Sequence, residues 1–379
     1  MISGGKKIRV LVVDDSAFMR KVMHGLISSD PAMEVVGEAS DGRDAVALAD
    51  SLRPDVISMD INMPHVDGLQ ATEIIMSQNP RPIVIVSSES REGTRSTLRA
   101  LELGAIDFVS KPTAGVDLDM NTVREELMRK LKLAAKVRVV RTATRPKLSE
   151  PHGPRSVVRP ADGPVHPPAP LELPLDSTGG SVRYPVVVLA ASTGGPAALM
   201  RLVPAFRKDF PGVVLLALHM PASFTSQFTQ QLAEASALSV KEAESGEPLQ
   251  PGTLYVCPGS HHLTVTPAGS IHLQDGPRIA GYRPCADVTL ESVAAFAGPM
   301  AVGVVLTGMG NDAARGAVAV KRAGGYVIAQ DEATSVIFGM PQETIRAGAA
   351  EQVLPLEAIP AAIEKRVLYL LGAVKVGAL

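Results

Sequence analysis

Residues 185–196 read Pro-Val-Val-Val-Leu-Ala-Ala-Ser192-Thr193-Gly194-Gly195-Pro196. An unbroken apolar run that ends in a turn signal reads as a strand buried in a parallel sheet. Thr-Gly-Gly-Pro then reads as a tight turn opening a helix, with proline in the first turn. The Ser192 hydroxyl is thereby held on a rigid element and faces the N–H groups of a helix N-terminus. That placement suits the nucleophile of an acyl transfer. It equally suits an N-cap serine or an anion-binding loop.

Two later segments repeat the form. Val213-Val-Leu-Leu-Ala-Leu-His219-Met-Pro221 and Val304-Val-Leu-Thr-Gly-Met309-Gly-Asn-Asp312 each run from an apolar strand into a turn. Alone, His219 reads as a cap or packed imidazole, and Asp312 as a helix start. Together, Ser192, His219 and Asp312 leave three strands at one edge of a parallel sheet. There a nucleophile, its base and the group that orients the base can converge. His261 and His262 precede an alternating segment and, with His272, are expected to be surface or hairpin residues, with one of the first two able to line the cleft. Cys257 and Cys285 lack a basic neighbour and are expected to be packing residues.

Before this region, β-branched runs at Ile8–Val13, Glu34–Glu38, Val56–Met59, Ile83–Val86 and Ile106–Val109 alternate with amphipathic segments at Phe18–Ser28, Arg43–Ser51, Leu69–Ser77 and Ser96–Leu103. Alternation of this kind implies a doubly wound parallel sheet. Asp14 and Asp15 follow the first strand and Asp60 ends the third. Three carboxylates on adjacent loops repel one another, and a hard cation such as Mg²⁺ resolves that repulsion. Ser87 after the fourth strand and Lys111 after the fifth add a hydroxyl and an ammonium, which suit a phosphoryl group carried on a carboxylate. Between the two regions, Arg145 to Pro174 holds nine prolines among Gly, Ser and charged residues. That composition builds no core and predicts a semi-extended linker. Its basic approach, Lys130 to Lys147, reads as a solvated helix end or a docking surface.

At 379 residues the chain has room for two or three domains. A net charge of −2 gives no electrostatic reason to expect nucleic-acid binding. Two cysteines suit a reducing cytoplasm. The longest apolar stretches, such as Met300–Leu306, are too short to cross a bilayer, so no direct membrane insertion is expected. The βα pattern after Tyr184 supplies no helix-turn-helix, which argues against a DNA-binding regulator. A hydrolase-like domain used only for protein binding stays open as a second reading.

The first third resembles a response-regulator receiver domain, through Val-Val-Asp14-Asp15-Ser, Met-Asp60-Ile-Asn62-Met-Pro, Val-Ser87-Ser88 and Gly104-Ala-Ile-Asp-Phe108-Val-Ser-Lys111-Pro112. The resemblance implies a flavodoxin-like fold with Asp60 as phosphoacceptor. It also implies that Asp14, Asp15, Asp60 and the Asn62 carbonyl serve Mg²⁺, that Ser87 and Lys111 contact the phosphoryl oxygens, and that Phe108 is the aromatic that repacks on switching. The remainder resembles the catalytic domain of the chemotaxis protein-glutamate methylesterases, through Ala-Ala-Ser192-Thr-Gly-Gly-Pro, Leu-His219-Met-Pro-Ala-Ser-Phe, Leu-Thr-Gly-Met309-Gly-Asn-Asp312 and Phe338-Gly-Met-Pro. Cys257, Ser260, Cys285-Ala286 and Glu343 depart from that pattern.

This second resemblance implies a Rossmann-like three-layer domain with a Ser192–His219–Asp312 triad and oxyanion support from the Met309 N–H and Thr193, needing no cofactor for the esterase step. The expected organisation is α/β, with a receiver at 6–134, a Pro-rich linker at 135–183 and a catalytic domain at 184–379. The implied activity is demethylation of glutamyl methyl esters and deamidation of glutamines on chemoreceptors. The implied phosphodonor is a histidine kinase, and a cytoplasmic monomer is expected.

Overall fold

The computed structural model describes residues 6–87, 90–111, 120–137 and 184–377. The Pro-rich segment, Ser88 and Pro112 lie outside them. The first sheet is built from β1 (Ile8–Val13), β2 (Met33–Ala39), β3 (Val56–Asp60), β4 (Ile83–Ser87) and β5 (Asp107–Ser110). Its order is β2-β1-β3-β4-β5, with every neighbouring pair parallel. That is the flavodoxin-like order, whose switch point lies between the first and third strands. The interleaved helices are α1 (Ala17–Ser28), α2 (Gly42–Leu52), α3 (Gly68–Gln78), α4 (Arg91–Glu102) and α5 (Met120–Ala134). The first four start at the residue types that satisfy free N–H groups. Ser16, Asp41, Asp67 and Ser90 each accept a bond from the first turn of the helix they precede. The Ser90 cap explains why α4 begins five residues ahead of the expected Ser96.

The second unit contains β6 (Val186–Ala191), β7 (Val213–Leu218), β8 (Ser239–Glu242), β9 (Thr253–Val256), β10 (His262–Val265), β11 (Ile271–Gln274), β12 (Ala301–Val305), β13 (Tyr326–Gln330) and β14 (Gln352–Leu354). Seven of these form an all-parallel sheet ordered β14-β13-β12-β6-β7-β9-β8, while β10 and β11 pair as a separate antiparallel hairpin. Helices α6 (Gly195–Leu202), α7 (Ala222–Ala235), α8 (Ala286–Ala297), α9 (Ala314–Arg322), α10 (Met340–Arg346) and α11 (Ile359–Gly377) complete it. Every residue of β6, β7 and β12 is buried, as strands covered on both faces require. Because β7 and β12 flank β6 on opposite sides, the chain reverses its direction of winding at β6. Ser192 therefore sits at the topological switch point, where ligands bind in open α/β sheets.

The two units share packing. Helix α4 lies against α6 and α7, and Phe108 of β5 packs on Phe224 of α7 with ring centroids 4.3 Å apart. Burying two aromatic faces there contributes stability that neither unit has alone. Among the described residues no helix is long and apolar enough to cross a membrane.

Candidate active site and the receiver packed on it

The carboxyl ends of β6 and β7 bring Ser192 and His219 to one cleft, and the turn after β12 buries Asp312 behind His219. The His219 Nε2 lies 2.7 Å from Asp312 Oδ2. Because an ionised carboxylate only accepts, Nε2 carries the proton and Nδ1 is left with the lone pair. Nδ1 is buried and has no hydrogen-bond partner. An orphaned buried acceptor is costly, and in a cleft that also contains Ser192 it marks the nitrogen that can receive a proton. The ring is fixed on its other side by Tyr282, stacked at 4.2 Å and 16°.

Asp312 is almost wholly enclosed by donors. Its Oδ2 also accepts from the Ala286 N–H at 2.7 Å, and its Oδ1 from Asp287 N at 2.8 Å and Ala313 N at 2.9 Å. The Cys285 thiol donates to Oδ1 at 3.2 Å. Burial works to raise the Asp312 pKa. The hydrogen bond from His219, with those from the N–H groups at the start of α8, outweighs it and holds it at about 2. Burial and the Asp312 charge push Cys285 up to about 12, so its sulfur keeps the proton it donates. Ala313 holds a left-handed φ of 78° directly after Asp312. Such strain persists where the surroundings over-determine the backbone. Cys285, Asp287 and Asp312 lie close enough to suggest a metal site, yet the hydrogens aimed at Asp312 suit an anion and oppose a cation.

The turn at Ser192 is tied down from behind. Thr307 Oγ1 donates to Thr193 O at 3.0 Å and accepts from Ile337 N at 2.9 Å, and Gln330 Oε1 takes the Thr307 N–H at 2.7 Å. Gly308 packs so closely that an added Cβ would fall 2.9 Å from Ser192 Cβ and 2.3 Å from Met340 Sδ. Gly194 supplies the positive φ, 77°, that turns the chain into α6.

Motif reading had no means of seeing these supports. His262 lies in the expected hairpin, at the start of β10, but it is not a surface residue. His262 is buried, accepts the Cys285 N–H on Nδ1, and reaches the Pro277 carbonyl through Nε2. It thereby ties the hairpin to the loop that carries Tyr282. Cys257 and Cys285 are both buried, as expected.

On the receiver sheet, Asp14, Asp15 and Asp60 bring carboxylate oxygens within 4.8 Å of one another. Lys111 Nζ bridges Asp14 and Asp60, at 2.8 Å from each. Burial, with Asp14 as a like-charged neighbour, raises the Asp60 pKa despite Lys111. Three acids against one ammonium leave an excess of negative charge that fits a hard divalent cation. Asn62 lies in the loop just past Asp60. Ser87 is buried at the end of β4 and donates to Gly93 O at 3.3 Å.

The receiver reaches the second cleft directly. Thr193 Oγ1 donates to Asp107 Oδ2 at 2.5 Å. Asp107 Oδ1 takes Lys130 Nζ at 3.1 Å, and that ammonium also binds Phe108 O at 2.6 Å and Glu126 at 2.9 Å. Arg129 Nη1 lies 3.8 Å from Met309 Sδ. Lys130, which begins the stretch read as a solvated helix end or a docking surface, is enclosed at this contact and not solvated. Its hydrocarbon stem and three-way charge pairing make that burial tolerable.

Residues 10–122 match the response regulator receiver domain family, and residues 187–363 match the CheB methylesterase family. A protein-glutamate methylesterase/protein-glutamine glutaminase of Symbiobacterium thermophilum is 44% identical over 96% of this chain and 98% of its own. One of Pyrococcus horikoshii is 42% identical over 98% and 97%. Among solved structures, the CheB methylesterase catalytic domain of Thermotoga maritima is 40% identical, with a TM-score of 0.47, over 48% of this chain and 99% of that one. With near end-to-end similarity, and with a receiver sheet followed by a parallel sheet whose switch point carries Ser192, the chain belongs to the protein-glutamate methylesterase/protein-glutamine glutaminase family.

Proposed function

We propose that the protein is a phosphorylation-activated serine hydrolase that demethylates glutamyl methyl esters and deamidates selected glutamines on chemoreceptors, giving sensory adaptation. The observation that carries this reading is the His219–Asp312 pair, whose vacant, buried Nδ1 shares a cleft with Ser192. His219 Nδ1 takes the Ser192 proton as Oγ attacks the ester carbonyl, and Asp312 stabilises the imidazolium that forms. The N–H groups of Met309 and Thr193 make no hydrogen bond among the described residues, and they are the donors for the oxyanion. Collapse of the intermediate sends the proton from His219 to the leaving methoxide, releasing methanol. Water, deprotonated by His219, then frees the acyl group and restores Ser192. With a glutamine side chain the same route releases ammonia.

Residues 6–134 and 184–379 are the working units in this reading, joined through 135–183. A histidine kinase phosphorylates Asp60 on the receiver. The site suits Mg²⁺, held by Asp14, Asp15, Asp60 and the Asn62 carbonyl, which offsets phosphoryl charge when bound. Lys111 and Ser87 turn to the phosphoryl oxygens, and the pull on Ser87 and Phe108 loosens Phe108 from Phe224 and Asp107 from Thr193. Unphosphorylated, the receiver occupies the approach to Ser192, and Thr193 is held by Asp107. The protein works as a cytoplasmic monomer with the kinase and the receptor as partners, and has no role on nucleic acid.

The reading is tested by methanol release from methylated receptor membranes, together with labelling by a serine-directed phosphonofluoridate and peptide mapping. Label at Ser192 with parallel loss of methanol is expected, and label elsewhere without that loss would sink the nucleophile.

Two further results are expected. Asp60→Ala should keep basal esterase activity and lose its response to acetyl phosphate, and stimulation of that variant to the wild-type rate would refute Asp60 as acceptor. Asp107→Ala removes a charge-assisted bond that holds the closed arrangement, a contact worth about 1.5–3 kcal/mol. It should raise the unphosphorylated rate about tenfold and shrink the further gain from phosphodonor. An unchanged basal rate would show that this contact does not restrain the enzyme.

A further inference from the structure

One wall of the Ser192 cleft is a loop folded back on itself. Ile279 and Tyr282 exchange both backbone hydrogen bonds, Ile279 N to Tyr282 O at 3.0 Å and Tyr282 N to Ile279 O at 2.9 Å. Between them Ala280 and Gly281 take left-handed φ values of 50° and 88°, the form of a two-residue type I′ turn. Glycine adopts it freely, but alanine is strained there. Such strain persists where the surroundings fix the backbone. Here Arg283 Nη1 donates to Gly276 O at 2.8 Å, and His262 Nε2 meets Pro277 O at 3.1 Å. The side chain that this turn sets into the cleft is Tyr282.

Tyr282 meets two parts of the site. Its ring stacks on His219 with centroids 4.2 Å apart and planes at 16°. Its hydroxyl lies 3.5 Å from Met309 O, and Gly310 approaches so closely that an added Cβ would collide with the same hydroxyl. Burial raises the phenol pKa, which keeps the hydroxyl a neutral donor. The chain that follows holds the imidazole from a second direction. Ala286 N and Asp287 N fix the Asp312 carboxylate, which in turn fixes His219 Nε2. Residues 282–287 thus grip the imidazole by its face and by its edge.

The stack changes in strength during the reaction. A neutral imidazole gains little from a parallel ring, whereas an imidazolium is drawn to the electron-rich face of a tyrosine. His219 carries that charge only as Ser192 gives up its proton. An interaction that strengthens toward the transition state accelerates the step. We propose that Tyr282 is a positioning residue for the base, its ring aligning His219 and stabilising the imidazolium while its hydroxyl braces the turn at Met309. This inference rests on the esterase reading above and adds a residue on which that site depends.

The test follows the rate of Ser192 labelling by the phosphonofluoridate against pH, in the full chain with acetyl phosphate and Mg²⁺. Tyr282→Phe keeps the ring, whereas Tyr282→Leu and Tyr282→Ala remove it. Tyr282→Phe should label within about threefold of wild type, with the acid limb of the profile unmoved. Both ring-free variants should label about tenfold more slowly, and their acid limb should move to lower pH by about half a unit. The sign follows from the charge: with the stack gone, the imidazolium is less stable and forms only in more acid solution. The other charged side chains of the cleft are the same in every variant, and thermal unfolding checks that each is folded.

A slower rate with an unmoved limb would show that the ring is packing alone, and would overturn the proposal. So would a wild-type rate in both ring-free variants, or a Tyr282→Phe rate as low as theirs, which would assign the effect to the hydroxyl. Absence of label from wild-type Ser192 is a different result. It would overturn the esterase reading, and this inference with it.

Discussion

Ser192→Ala should lower methanol release about 10⁶-fold, the scale of losing the nucleophile of a triad. The substitution removes one oxygen and leaves Cβ in place against Gly308, so the packing behind the turn is unchanged. What remains is the oxyanion site, with His219 positioned but without a hydroxyl to activate. The fall belongs in kcat, because Ser192 Oγ contributes to bond formation and little to ground-state binding. Single-turnover methanol release, with thermal unfolding as a control for the fold, checks it. A rate within tenfold of wild type would remove Ser192 from the chemistry.

Asp312→Asn should cost about 10⁴-fold in rate by leaving His219 in the wrong tautomer. Here the argument is sharper than a charge deletion. Both oxygens of Asp312 are surrounded by donors: His219 Nε2 and Ala286 N on one side, Asp287 N, Ala313 N and the Cys285 thiol on the other. Either orientation of an asparagine amide sets its NH₂ against N–H groups. The side facing His219 forces the imidazole to put its proton on Nδ1, the nitrogen that accepts from Ser192 in the proposed mechanism. The side facing α8 leaves backbone donors unpaired, at about 1–3 kcal/mol each.

Activity and stability should therefore fall together, unlike in Ser192→Ala. The pH dependence has a definite sign. The Asp312 pKa is held at about 2, below its unfolded value of roughly 3.9. Its ionised form thus stabilises the fold fully above pH ~4, and that contribution, about 2 kcal/mol, is lost as pH falls toward 2. The gap in unfolding free energy between wild type and Asp312→Asn should narrow over that interval. A gap that stays constant down to pH 2 would mean that the carboxylate is not held by these donors.

Much of this protein was legible in sequence because its strands are parallel and doubly covered. Such strands must be continuously apolar, and the residue that ends each run is placed at the carboxyl edge of the sheet. That rule located Asp14, Asp60 and Lys111 on one sheet and Ser192 and His219 on the other, and the Gly-rich turn that follows β12 located Asp312. The first four receiver helices were found to within a few residues, apart from the early start of α4, since their caps and apolar spacing are local. The supports of the site were not legible. His262, Tyr282, Thr307 and Gln330 reach it across 23 to 114 positions of chain, and no periodicity records such contacts.

The sequence alone determined the fold class, the two sheet-edge constellations and the family, because strand burial and turn chemistry are properties of short segments. Only the tertiary structure decided that Nδ1 of His219 is the vacant nitrogen, that the start of α8 and Cys285 enclose Asp312, and that Asp107 and α5 line the cleft of Ser192 while Phe108 packs on Phe224. Each of these depends on the distance between groups remote in the chain. Those distances follow from how the two sheets and their helices pack.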